Sequence, residues 1–311
     1  MAAKVVVAGV TSLATAVLVD GFPLEYAPLR MPAWMRAGVA GAGRHIARSL
    51  DGLGDEVVLC TVVGDDPAGA VIREDLRSDG LLGPTVVRGP ASSLNVTLVA
   101  PDGRRIAMPY LASVDAVRYP PDVFLHAVEG ADLAVLTNTE FVRPLLPYVQ
   151  ERGVPTAADL HVIADIDDTY NRPWLDAADI VFCSHERLPG TPVDWIRQVF
   201  ARHPDRVIVT VGCGGDGCVA GLPDGTLIAV GAVAPRGVVS TAGAGDALFA
   251  SFLHEWLATG DPVTALESAV LYAGWKIGDA TPYSAALTAP ELAELRLAHP
   301  VRGRLGRWDR G

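Results

Sequence analysis

The segment Ser240-Thr241-Ala242-Gly243-Ala244-Gly245-Asp246, followed by the apolar run Ala247-Leu248-Phe249-Ala250-Ser251-Phe252-Leu253, is the stretch best suited to chemistry. Small residues at 242–245 let successive backbone N–H groups converge, and a helix beginning there adds the positive end of its dipole. Together they form a hole for an anion. An aspartate in the first turn of such a helix lies within reach of a nucleophile attacking a held phosphoryl group, which is where a general base must stand. Taken alone, the same residues also describe a tight turn closed by a capping aspartate. No Lys-Ser/Thr follows the glycines, so this is not a P-loop, and a nicotinamide-binding glycine motif would lie after the first strand.

The elements that must position this turn are legible as an alternation. Short β-branched runs at Lys4–Ala8, Val57–Val62, Leu133–Thr137, Pro155–Ala158, Ile180–Phe182 and Val207–Val211 read as strands buried on both faces. Helical patterns lie between and after them, at Gly43–Leu53, Ala68–Ser78, Pro144–Arg152, Pro192–His203, Gly245–Ala258 and Pro262–Ile277. The alternation predicts an α/β fold, a sandwich with helices on both sides of a mostly parallel sheet. Thr85–Arg88, Asn95–Ala100 and Arg104–Pro109 break it, and Pro101-Asp102-Gly103 is a strong hairpin signal. These residues predict a small antiparallel appendage, formed by about 14–36 and 85–110 within a single domain of residues 1–311.

Composition bounds the partners. The chain has 311 residues, half of them hydrophobic, and a formal net charge of −11. A core of useful size can form without disulfides or metals. The acidity argues against a nucleic-acid partner, which needs clustered Lys and Arg. Only the tail is basic, with Arg302, Arg304, Arg307 and Arg310, and it reads as a solvated or loosely docked terminus. Cys60, Cys183, Cys213 and Cys218 are scattered and fit reduced thiols in a cytoplasmic protein. The apolar run Val5 to Val10 is too short for a membrane span or signal peptide.

The turn closely resembles the Asp-Thr-x-Gly-Ala-Gly-Asp signature of the ribokinase-like (PfkB) family of sugar and nucleoside kinases, and the resemblance extends along the chain. Ala40-Gly41-Ala42-Gly43-Arg44-His45-Ile46-Ala47 resembles the family's N-terminal glycine motif, Val63-Gly64-Asp65-Asp66-Pro67-Ala68-Gly69 its Val-Gly-Asp-Asp segment, and Asp102-Gly103-Arg104-Arg105 its lid hairpin. Val209-Thr210-Val211-Gly212 resembles the strand and loop lining the ATP phosphates. The resemblance implies a ribokinase-like three-layer α/β/α sandwich with a small β lid. The implied activity is transfer of phosphate from ATP, with Mg²⁺, to a primary hydroxyl of a sugar, nucleoside or related polyol.

By that resemblance Asp246 is the base, and the amides of Gly243, Ala244 and Gly245 hold the transferred group. Thr210, Gly212, Gly215 or Gly217, Thr241 and Ala273 are expected at the nucleotide. Ser12, Gly41, Gly43, His45, Asn95, Arg105, Asn138 and Asp159 are candidates for the acceptor. Glu186, one place early in Ser184-His185-Glu186, would order metal-bound water. A homodimer through the lid would cover its open edges.

Three departures bear on the substrate. Ala14 stands where the family has an aspartate that binds two sugar hydroxyls, and His45 stands where it has an asparagine. The acceptor is then held by other groups or lacks the usual hydroxyl pattern. Ser240 replaces the first Asp of the signature, which argues against a monovalent-cation site. Arg44 offers new positive charge for an anionic acceptor, or an outward salt bridge. His161, Asp165, Asp167 and Asp168 read as a solvated loop rather than a metal site. The lost acceptor residues also motivate an alternative, a non-catalytic nucleotide or metabolite sensor. A pure sensor has no need of a base at Asp246. Phe22, Tyr26, Trp34, Met108 and Tyr110 could line a slot for a nucleoside base, or pack a core of the lid itself.

Overall fold

In the computed structural model, which describes residues 2–280 and 286–309, the first strand already dictates three layers. That strand, β1 (Lys4–Ala8), sends Val5 and Val7 into one apolar cluster and Val6 and Ala8 into another. Ile46 and Leu50 of the helix Ala42–Leu53, Phe249 and Phe252 of Ala244–Thr259 and Leu266 of Pro262–Lys276 cover the first face. Phe124, Val149, Trp174 and Trp195, each on a different helix, cover the second. Full burial of each valine contributes about 1.5–3 kcal/mol, so a strand buried on both faces must be apolar throughout.

The remaining strands are β2 (Ser12–Leu18), β3 (Met35–Ala40), β4 (Glu56–Gly64), β5 (Val86–Gly89), β6 (Ser93–Val99), β7 (Arg105–Tyr110), β8 (Leu133–Thr137), β9 (Thr156–Val162), β10 (Ile180–Ser184), β11 (Ile208–Gly212), β12 (Cys218–Gly221), β13 (Thr226–Val230) and β14 (Arg304–Arg307). Among the described residues they form a ten-stranded sheet in the order β14-β13-β12-β11-β10-β9-β8-β1-β4-β5 and a four-stranded sheet in the order β3-β2-β6-β7. Pairing is parallel from β5 through β11 and antiparallel from β11 to β14.

Two expectations are corrected here. Thr85–Arg88 does not join the appendage: β5 runs parallel to β4, with Val86 beside Thr61, and closes the edge of the large sheet. The small sheet takes β2 and β3 beside β6 and β7, with β2 parallel to β6. The basic tail is docked rather than loose. Arg304 and Arg307 lie in β14, and the Trp308 ring stacks on Phe200 at 4.9 Å while its Nε1–H donates to Leu222 O. Arg310 is outside the described residues. No described helix is long and apolar enough to cross a membrane.

Between the two sheets the glycine motif works through backbone contact. A Cβ on Gly43 would sit 2.5 Å from the carbonyl carbon of Gly9, and one on Gly41, at φ 107°, would sit 2.3 Å from Val10 O. The helix Ala42–Leu53 is thereby pressed against the exit of β1. Gly43→Ala is expected to cost about 1–3 kcal/mol through overpacking against main chain. Gly231→Ala, in open space with no left-handed φ, should be neutral. Urea unfolding midpoints of both variants check this; equal midpoints would mean that the contact yields freely.

Candidate active site

The helix Ala244–Thr259 starts from Gly243, whose left-handed backbone (φ 76°) turns the chain into the first helical turn with no side-chain cap. Its early amides point toward the carboxyl ends of the parallel strands, where α/β sheets present ligands. Ala244 N–H closes a 3.3 Å turn onto Thr241 O, and the amides of Gly243, Gly245 and Asp246 have no acceptor among the described residues. A 16-residue helix with such unpaired donors fits a phosphate group. Ser240 is buried and its hydroxyl accepts from Ala242 N–H at 3.3 Å, so the residue that departs from the signature still braces the turn.

Asp246 meets β9 across the cleft. Its carboxylate, the Asp159 carboxylate and a ring nitrogen of His161 all lie within 4.8 Å of one another. Asp159 is buried and grips its neighbour twice: one oxygen accepts the His161 backbone N–H at 2.8 Å, the other faces His161 Nδ1 at 3.0 Å. His161 has φ 52°, a left-handed conformation that costs a side chain such as histidine about 1–2 kcal/mol. It lies in a β-bulge, because Asp159 pairs with Phe182 while Val162 pairs with Ser184, leaving one extra residue on β9.

Burial is the largest influence on Asp246 and raises its carboxyl. His161 opposes that rise, Asp159 adds to it, and Arg105 and Lys276 oppose it, leaving the group up at about 6. For His161, burial lowers the pKa but the Asp159 and Asp246 carboxylates outweigh it and hold the ring up at about 9. Its side chain is 40 % exposed, so solvent screens part of that field. A charged imidazole does not ligate a metal, and the trio reads as a carboxylate–imidazolium–carboxylate set. His161 is the site residue that sequence reasoning missed: Asp165, Asp167 and Asp168 do form a surface loop, with Asp167 paired to Arg202, but His161 leaves that group. The available signal was Asp-x-His at a strand end.

The small sheet reaches the same turn. Arg105 Nη1 donates to Thr241 Oγ1 at 3.2 Å, and Thr241 Oγ1 donates to Gly103 O at 3.3 Å, so the hairpin tip rests on the anion turn. Asn95 lies beside Ala14 in the β2–β6 register, with its Nδ2 on Thr97 Oγ1 and its Oδ1 buried without a partner among the described residues. His45 is buried, and desolvation, followed by Arg44, Lys276 and Arg48, pulls it well below the usual histidine range, so the ring is neutral. Lys276 is drawn down to about 8, mainly by burial.

Where the nucleotide is expected, β10 and β11 end together, with Ser184 beside Gly212. The loop passes through the turn Gly214–Asp216 to Gly217, which has φ 99° and whose Cβ would lie 2.0 Å from Val230 O. Gly215 faces open space. Glu186 is exposed in the short turn His185–Arg187 at the end of β10, and His185 Nδ1 donates to Gly212 O at 3.0 Å. Ala273 is buried on the helix Pro262–Lys276, while the hydroxyl of the neighbouring Tyr272 accepts from Leu287 N–H.

Thr210 is 1 % exposed, and its hydroxyl has no partner among the described residues. Several other sequence-predicted residues are occupied elsewhere. Ser12 is buried and shares a 2.7 Å hydrogen bond with Ser93, tying β2 to β6. Asn138 donates to Leu160 O and to Asn171 Oδ1, which fixes it as a loop brace. Arg44 faces no acceptor: it is buried on the far side of its helix in ion pairs with Asp75 and Asp79. Gly41 and Gly43 are spent on backbone apposition.

Comparison with known proteins agrees with this geometry. The pfkB family carbohydrate kinase description matches residues 2–289. An ATP-dependent ribose-1-phosphate kinase of Halopiger xanaduensis is 31% identical over 238 residues, 75% of this chain and 78% of the relative. An acarbose 7(IV)-phosphotransferase of an Actinoplanes species is 28% identical over 264 residues, 83% of this chain and 86% of the relative. Among solved structures, a microbiome-derived acarbose kinase shares the fold with a TM-score of 0.82 at 23% identity, over 96% of this chain and 100% of that one. With nearly the whole length matched, the chain belongs to the pfkB family of carbohydrate kinases, and it is an ATP-dependent phosphotransferase with a ribokinase-like fold.

Proposed function

We propose that Asp246 is the catalytic base and that the acceptor is a sugar or sugar-like polyol presented to it from beneath the small sheet. The observation that carries this reading is the convergence of unpaired helix amides, a half-buried carboxylate and the hairpin tip on one cleft. Asp246 takes the proton of a primary hydroxyl, and the amides of Gly243 and Gly245, joined by Ala244 as its weak turn opens, hold the transferred phosphoryl oxygens. Glu186, exposed at the end of β10, would hold water of a bound Mg²⁺, which would neutralise phosphate charge. Gly212, Gly215 and Gly217 leave room for the nucleotide, with Ala273 behind them.

A sugar is favoured over a nucleoside because three of the five side chains that could line a base slot turn away. Met108 and Tyr110 alternate onto the outer face of the small sheet, about half exposed, and Tyr26 is 94% exposed. Both curated relatives are named for phosphorylation of sugar compounds. Asn95, adjacent to Ala14, offers a hydroxyl the oxygen that the missing aspartate would have supplied. The sensor alternative has no geometric feature in its favour, since the base and the anion turn are both in place.

The outer face of the small sheet also presents Met35, Leu94, Val96 and Ile106, each at least 40 % exposed. A contiguous apolar sheet face with a polar inner side suits a second copy of this chain across a two-fold axis. We assign the homodimer to this face, and a cytoplasmic location is consistent with buried, unpaired cysteines.

Asp246→Asn is expected to lower kcat by at least about a thousandfold while ATP affinity stays within about twofold, and kcat of the parent should fall as pH drops through about 6, where the base takes a proton. Substantial turnover by the variant would remove Asp246 from this role. ADP formation against a panel of pentoses, hexoses, sugar phosphates and nucleosides should depend on a sugar; ADP release independent of every acceptor contradicts the kinase reading, and preference for a nucleoside contradicts the acceptor. Light scattering should give a dimer that Met108→Glu converts to monomer, and a monomeric parent at assay concentration would refute the interface.

A further inference from the structure

Bulged strands re-aim a side chain, and a histidine held in the left-handed region needs a reason for its strain. Both features fall on His161, at the one point where β9 faces the helix carrying Asp246. Asp159 fixes both the backbone N–H and the ring of His161, so the ring has little freedom to turn away. We infer that His161, clamped by Asp159, is a positioning residue whose imidazolium pairs with the Asp246 carboxylate and keeps the base charged and oriented in a cleft that would otherwise favour its acid form.

The inference rests on the assignment of Asp246 as base. Around that carboxylate the charged groups are His161 and Asp159 from β9, Arg105 from the small-sheet hairpin and Lys276 from the helix Pro262–Lys276. Arg105 lies on the exposed hairpin and is engaged with Thr241, and Lys276 has Asp279 as its own counter-charge. His161 is the cation built into the rigid sheet beside the base, and it acts before any substrate arrives. Asp159 in turn stabilises the charged ring from 3.0 Å, and the Asp246 carboxylate lies within 4.8 Å of the same pair. When the acceptor hydroxyl gives its proton to Asp246, the adjacent imidazolium holds the new acid in place without itself losing a proton.

The test uses the full chain and two readouts. His161→Asn is the first variant, since asparagine tolerates a left-handed backbone and removes only the charge. The acid limb of kcat should move up by about one pH unit, roughly a tenfold loss of rate at a fixed pH well below the limb, with both KM values within about twofold. Asp159→Asn removes a like charge from beside Asp246 while the ring stays charged, so it should move the limb down instead, and His161→Gln stands in if His161→Asn does not fold. Independently of turnover, the NMR titration of the His161 ring, assigned by its loss in His161→Asn, should drop by about one pH unit in Asp159→Asn and again in Asp246→Asn. An unmoved acid limb, a rise in acceptor KM alone, or a His161 titration indifferent to Asp246→Asn overturns the pairing. If Asp246→Asn keeps its turnover, the base assignment fails instead, while the ring titration still reports whether the two side chains are coupled.

Discussion

The constraint on which this molecule turns is a set of backbone donors that the protein leaves unpaired. The helix Ala244–Thr259 begins without a side-chain cap, and its first amides face the carboxyl ends of the parallel strands. In a folded core such groups are expensive to leave alone, and an incoming anion is their natural partner. The large sheet exists to hold that helix end in register with β9, β10 and β11. The close backbone contact of Gly43 with Gly9 sets the neighbouring helix against the exit of β1.

Much of this was legible in the residues. The runs at Lys4–Ala8 and Leu133–Thr137 coincide with β1 and β8 because continuous β-branched stretches admit few other structures. The turn ending in Asp246 was legible because small residues before an apolar helix leave one reading for the backbone. The family resemblance extended that reading along the chain. What escaped was what long-range pairing decides. Pro223-Asp224-Gly225 makes the β12–β13 turn with the same signature as Pro101-Asp102-Gly103, yet only the latter stood out, since the strands beside it are longer.

The site residues divide the same way. Ser12 and Asn138 have the polarity a ligand wants, but polarity does not say which way a side chain turns, and neighbours took both of them first. His161 escaped for the opposite reason. A single extra residue in β9 opposite Cys183 rotates it out of the strand's regular alternation, and no local pattern announces a bulge. Arg44 shows how burial overrides charge: with Asp75 and Asp79 at hand, the guanidinium is held inside the protein rather than in the cleft.

Ala14, Ala16 and Asn95 lie on the small sheet and belong to neither apolar cluster that flanks the large one. Their side chains can therefore be exchanged without opening a cavity in either main core. With the acceptor beneath this sheet as proposed, substitutions on this face would alter its fit while the packing of both main cores is kept.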